Sequence, residues 1–155
     1  MAKLKDEIKQ KSPFRSVHEE VALAMLRTAD LVTLPMTEVL RKAGLSTSQY
    51  NVLRILRGAG SEGLPCGEIS TRMVRRDPDL TRLLDRLEAR GLVQRTRSSA
   101  DRRVVRATIT DDARKLLESL DEPVEESLDS ALAHVPKTQL RELVKLLEHI
   151  RSGSK

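Results

Sequence analysis

Residues 75–110 read RRDPDLTRLLDRLEARGLVQRTRSSADRRVVRATIT. The fold turns on how this stretch is punctuated. Asp77 is placed to cap a helix, with Pro78 in the first helical position, where a missing N–H costs nothing. Leu80, Leu83, Leu84 and Leu87 then form one apolar stripe at helical spacing. Gly91 is the kind of residue that closes such a helix. Beyond it the period changes to two. Val93, Arg95 and Arg97 alternate with Leu92, Gln94 and Thr96, and Val105, Ala107 and Ile109 alternate with Val104, Arg106 and Thr108. Two such runs around Ser98-Ser99-Ala100-Asp101 predict a β-hairpin with a projecting loop.

Upstream, LSTSQYNVLRILRGAG (residues 45–60) predicts a helix. Ser46 is its N-cap, Gln49 the capping-box partner, and Gly58 and Gly60 end it. LPCGEISTRMV (64–74) reads as a short helix carrying Ile69 and Met73. Earlier, Val21, Met25, Ala29 and Val32 recur at steps of four and three, which predicts a helix from about Ser16 to Leu34. Pro35 is expected to end or kink it, leaving a short piece from Met36 to Ala43 that stops at Gly44. Residues 1–12 are polar and lysine-rich, and read as a loose arm. Downstream, Thr110 caps a helix led by Asp111 and Asp112, with Leu117, Leu120, Val124 and Leu128 on one face. Pro123 is expected to kink or split it. Pro136 opens a last helix with Leu140, Leu143, Val144, Leu147 and Ile150 on one face.

The 155 residues are 39% hydrophobic and 33% charged, enough apolar side chain for a core, so disorder throughout is excluded. The net charge is +5, and its location says more than its size. Arg72 to Arg106 holds eleven Arg, no Lys and five acids, so that segment carries +6 and the rest of the chain −1. A localised basic patch is the footprint of a polyanion binder, set against a merely solvated, salt-bridged face. Arginine throughout favours recognition, because guanidinium pairs bidentately with phosphate and guanine. Phe14 and Tyr50 are the only aromatics, too few to stack the bases of a single strand.

Helix, helix and hairpin, with arginines on the second helix and the turn, make a winged helix-turn-helix. Its helix enters the major groove of duplex DNA, and its hairpin reaches a backbone or the minor groove. The fold class is therefore mainly α with a small β-hairpin.

Leu45-Ser46-Thr47-Ser48-Gln49-Tyr50, the run Leu80 to Glu88, Arg90-Gly91-Leu92-Val93 and the wing motif Asp101-Arg102-Arg103 together resemble the multiple antibiotic resistance regulator (MarR) family. The resemblance covers about Leu45 to Thr110 closely and the outer helices by arrangement. It implies a winged core at 45–110 flanked by dimerisation helices at 13–44 and 111–155, after the arm at 1–12. It also implies a homodimer on a pseudo-palindromic site, acting as a transcription regulator and usually as a repressor.

On the recognition helix the candidates are Asp79, Thr81, Arg82, Asp85 and Arg86, with Arg75 and Arg76 just before it. Arg82 and Arg86 stand first. Asp85 is expected to orient an arginine, since a bare carboxylate repels phosphate, and Arg86 and Arg90 have acids such as Glu88 within reach. In the wing, Arg102 or Arg103 reaches the minor groove, and the resemblance implies that Asp101 braces the loop. Arg95 and Arg97 are expected at phosphates. Ser46, Ser48 and Gln49 sit where a helix N-terminus donates to phosphate, although capping competes for them.

Other chemistry is thinly supported. His18, His134 and His149 are dispersed, and there is no H-E-x-x-H, glycine-rich phosphate loop or G-x-S-x-G, so no enzyme is expected. No cofactor and no metal are expected. Cys66 is a lone cysteine that fits a reducing cytosol and packs as a small apolar residue. A redox- or metal-responsive regulator of the same fold, and a winged scaffold that binds another protein, are the alternatives. No apolar run approaches the ~20 residues of a membrane span, so the chain is expected to be cytoplasmic. The resemblance implies a small aromatic or phenolic effector, with Arg15, His18, Leu34 and Met36 as lining candidates.

Overall fold

The computed structural model describes residues 3–75, 77–97 and 103–153. Arg76, Asp101 and Arg102, three of the candidates above, lie outside the described residues. The described chain forms α1 (Leu4–Glu7), α2 (Val17–Lys42), α3 (Thr47–Gly58), β1 (Leu64–Pro65), α4 (Cys66–Arg72), α5 (Leu80–Ala89), β2 (Val93–Arg97), β3 (Val105–Ile109), α6 (Asp111–Leu132) and α7 (Lys137–Ser152). It is mostly helical with one small antiparallel sheet, ordered β1-β3-β2. None of the described helices is long and apolar enough to cross a membrane.

The chain divides into two units, one comprising the residues up to Pro35 and from Ser127, the other Met36–Glu126. The second holds the winged core. Its fully buried side chains include Leu40, Val52, Leu53, Leu56, Ile69, Leu84, Leu87, Val93 and Leu117. Each such Leu, Ile or Val contributes about 1.5–3 kcal/mol by leaving water. In the first unit, by contrast, α2 exposes Val17, Val21, Met25, Leu26 and Leu31, and α7 exposes Leu143, Val144, Leu146 and Ile150.

Several boundaries differ from the sequence expectation. The arm contains the single turn α1. α2 runs unbroken through Pro35, and α6 through Pro123. Proline deletes one helical hydrogen bond but already has a helical φ, and good helix formers on both sides continue the turn. In α6, Leu120 and Val124 are buried on either side of Pro123 and hold the two halves to one core. α5 begins at Leu80, not at Pro78. Asp77 Oδ1 accepts from Asp79 N at 2.9 Å, closing a turn of its own, and Asp79 is the cap, accepting from Arg82 N at 3.4 Å. Proline therefore precedes the helix and does not begin it.

The hairpin has a third strand. Leu64 and Pro65 pair with Ala107 and Arg106 of β3. Two residues are too few to show a period, and proline is tolerated there because an edge strand needs no N–H on its open side. Gly63 (φ +58) enters this strand so close to β3 that a Cβ would stand 2.2 Å from the Ala107 carbonyl oxygen. Arg106 holds the same turn, donating from Nε to Glu62 O and from Nη2 to Gly63 O, both at 3.0 Å.

Candidate nucleic-acid interface

The site is built on α5. Leu83, Leu84 and Leu87 are buried, which forces Thr81, Arg82, Asp85 and Arg86 outward. Arg82 and Arg86 are four residues apart and share one face. Arg82 reaches back to Asp79 at 3.3 Å with its side chain 76% exposed, so that pair contributes little and yields readily to a stronger anion. Among the described residues Arg75, Arg86 and Arg97 make no ion pair.

The approach to α5 is also defined. Met73 is buried while Val74 is 88% exposed, and Val74 N donates to Asn51 Oδ1 at 2.9 Å. Asn51, on α3, thus anchors the connection between α4 and the recognition helix. Nothing in the local pattern singled out this asparagine, because its partner lies 23 residues away.

The far end of α5 turns directly into the wing. Gly91 (φ +69) takes the left-handed conformation, Gly91 N donates to Glu88 O at 2.8 Å and Leu92 N to Leu87 O at 2.9 Å. Val93 pairs with Ile109, Arg95 with Ala107 and Arg97 with Val105. Thr110 joins this turn to α6. Its Oγ1 donates to Gly91 O at 2.8 Å and accepts from Ala113 N at 3.2 Å, as the sequence predicts for a cap.

Arginines that look equivalent in sequence have different duties here. Arg95 turns its guanidinium toward α5, donating to Glu88 Oε2 from Nε at 2.9 Å and from Nη2 at 2.5 Å, and to Asp85 Oδ1 from Nη2 at 2.6 Å. Asp85 orients an arginine, as expected, but the arginine is on the wing and not on its own helix. Arg90 donates to Gly44 O at 2.6 Å and ties the end of α5 to the start of α3. Ser46 and Gln49 are engaged with each other, Gln49 N to Ser46 Oγ at 3.1 Å and Ser46 N to Gln49 Oε1 at 2.9 Å. That capping box uses the polar groups that were candidates for phosphate, while Ser48 beside them is half-buried. In the wing, Arg97 and Arg103 are exposed.

Cys66 is half-buried at the start of α4, and burial pushes its thiol above the ordinary range. That is the reverse of the activation a reactive cysteine needs. No group of three or more His, Cys, Asp or Glu side chains suited to a metal ion occurs among the described residues. Of the effector candidates, Arg15, His18 and Leu34 are exposed residues of the first unit, and Met36 is a half-buried residue of the second.

Residues 45–105 match the MarR family. A MarR transcription factor of known structure from Planctomyces limnophilus is 41% identical, over 88% of this chain and 98% of that one, with a TM-score of 0.67. The HTH-type transcriptional regulator FarR of Neisseria gonorrhoeae is 28% identical over 118 residues, 76% of this chain and 80% of FarR. BpsR of Bordetella bronchiseptica, whose structure addresses regulation of its DNA binding by 6-hydroxynicotinic acid, shares the fold at 23% identity. Its TM-score is 0.76, over 86% of this chain and 99% of that one.

Proposed function

The chain belongs to the MarR family of DNA-binding transcription regulators, and on that premise we propose that it is a homodimeric repressor of a pseudo-palindromic operator. Members of this family are regulators and not enzymes. The observation that carries the reading is the outward face of α5, where Thr81, Arg82 and Arg86 stand opposite a fully apolar inner face. α5 enters the major groove, with Arg82 and Arg86 at base edges or phosphates and Arg75 and Arg76 on the approaching backbone. The wing crosses to the minor groove with Arg102 and Arg103, and Arg97 lies along the phosphates.

The outer helices, 13–44 and 111–155, serve dimerisation. Leu26 is 67% exposed and Leu146 62%, and with Val17, Val21, Leu143, Val144 and Ile150 they leave large apolar side chains of α2 and α7 bare. A second copy covers them. Two-fold symmetry then sets the two α5 helices on half-sites about one helical turn apart. Release from DNA follows binding of a small aromatic or phenolic acid, with Arg15, His18, Leu34 and Met36 as lining residues. The regulation of BpsR by 6-hydroxynicotinic acid supports that class of ligand.

The test is selection of duplexes from a random pool, with the mass of the free protein measured in parallel by light scattering. A palindromic motif and a dimer mass are expected. A monomer, or a pool with no enriched motif, would refute the reading. A thermal-shift screen of aromatic acids should find at least one stabiliser that also releases the selected duplex.

A further inference from the structure

The recognition helix carries two acids, Asp85 and Glu88, on the element meant to approach a polyanion. Both sit in its C-terminal half, where the helix's own partial negative charge disfavours a carboxylate. A single wing residue meets both. Arg95 donates to Glu88 through its backbone N at 3.0 Å, through Nε at 2.9 Å and through Nη2 at 2.5 Å, and to Asp85 through Nη2 at 2.6 Å. Its side chain is 24% exposed, against 76% for Arg82. The nearby guanidinium holds the Glu88 carboxyl below the ordinary range, so that acid stays ionised wherever the protein binds DNA.

We propose that Arg95 is a positioning residue and not a DNA contact: it neutralises the acids of α5 and clips β2 to that helix, so that helix and wing meet the duplex as one rigid unit. The two prongs read different grooves, so their relative angle determines whether both engage together. Burial of Val93 and Ile109 and the hydrogen bonds of the Gly91 turn root the base of the hairpin, so any freedom left to β2 lies further out along the strand. A planar fork bonded to two side chains one turn apart on the helix removes that freedom, because it fixes distance and direction together. The same fork places positive charge over both acids and lowers their repulsion of phosphate.

This inference rests on α5 and the wing reading DNA as proposed above. The experiment measures affinity for the selected duplex by fluorescence anisotropy across a KCl series. The proteins are wild type, Arg95→Gln, Arg95→Lys, the pair Asp85→Asn/Glu88→Gln, and the triple variant combining that pair with Arg95→Gln. Circular dichroism verifies folding of each. Arg95→Gln should weaken binding about tenfold by baring two carboxylates near phosphate. Arg95→Lys, which returns the charge without the fork, should recover part of that loss. The triple variant should bind within about threefold of the Asp85→Asn/Glu88→Gln pair, with an unchanged salt slope, because no acid remains to be neutralised and no phosphate contact is lost. A triple variant whose slope falls by about one relative to the pair would make Arg95 a phosphate contact and overturn the proposal. Full affinity in Arg95→Gln would overturn it as well. Failure of the wild type to bind any selected duplex would instead overturn the DNA-reading role beneath it.

Discussion

Arg57 and Asp121 meet fork to carboxylate, Nη1 to Oδ2 at 2.8 Å and Nη2 to Oδ1 at 2.9 Å. The pair joins the last turn of α3 to the middle of α6, two residues before Pro123. Its hydrogen bonds from Arg57 hold the Asp121 carboxyl below the ordinary range. Both side chains are substantially exposed, so solvent screening keeps the pair near the upper end of surface values.

Asp121→Asn should therefore cost about 1 kcal/mol at neutral pH, or roughly 3 °C in Tm. Because the folded carboxyl titrates below the unfolded one, this stabilisation is complete above the ordinary carboxylate range and lost as pH falls through the depressed value. Thermal melts of wild type and Asp121→Asn should differ at pH 7 and converge in acid. A gap that persisted at pH 2 would rule out the ion pair as its source.

Gly63→Ala should be severely destabilising. The added Cβ would stand 2.2 Å from a backbone oxygen and 2.6 Å from Thr108 Cγ2, at a φ of +58. Strain and overpacking together put the loss at roughly 3–5 kcal/mol in urea unfolding. Gly58→Ala is the matched control. Its Cβ meets nothing within 4 Å in a helical turn, and it should stabilise by about 0.5–1 kcal/mol.

The two prongs should separate in their salt dependence. Arg82→Ala or Arg86→Ala should cost roughly 1–3 kcal/mol and relax the preference for one base if the side chain reaches a base edge. Alanine at both Arg102 and Arg103 should lower affinity and flatten the plot of log K against log salt, by about 0.9 per phosphate neutralised. Unchanged affinity and slope would remove the wing from the interface.

Cys66 should react slowly. With its thiol pushed upward by burial, less thiolate is present near neutral pH than in the unfolded chain. Alkylation of native protein at pH 8 should be slower than in urea, and peroxide should leave DNA binding intact. Rapid oxidation coupled to DNA release would reverse this and favour a redox-responsive regulator.

Legibility in the sequence followed distance along the chain. The capping box of Ser46 and Gln49, the cap at Thr110, the left-handed Gly91 and the leucine face of α5 each lie within one or two turns, and each is present. The sequence pattern places the start of α5 two residues early because Asp77 and Asp79 are both good caps, and only the turn closed by Asp77 selects the second. Pro35 is expected to end or kink its helix and Pro123 to kink or split its own because one lost hydrogen bond is visible locally, while the burial of Leu40, or of Leu120 and Val124, beside the continuous helices is not.

By itself, the sequence determined the order of elements, their apolar faces and the concentration of positive charge between Arg72 and Arg106. Those depend on periodicity and on groups only a few residues apart. Tertiary structure alone decided which arginine does what. Arg95 is drawn to Asp85 and Glu88, Arg90 to the Gly44 carbonyl, Arg106 to the turn before β1 and Arg57 to Asp121, while Arg82 and Arg86 remain turned outward. A guanidinium on a long, flexible stem has several acceptors within reach. Which one it meets depends on elements brought together from as far as 64 residues away, a choice that no local pattern encodes.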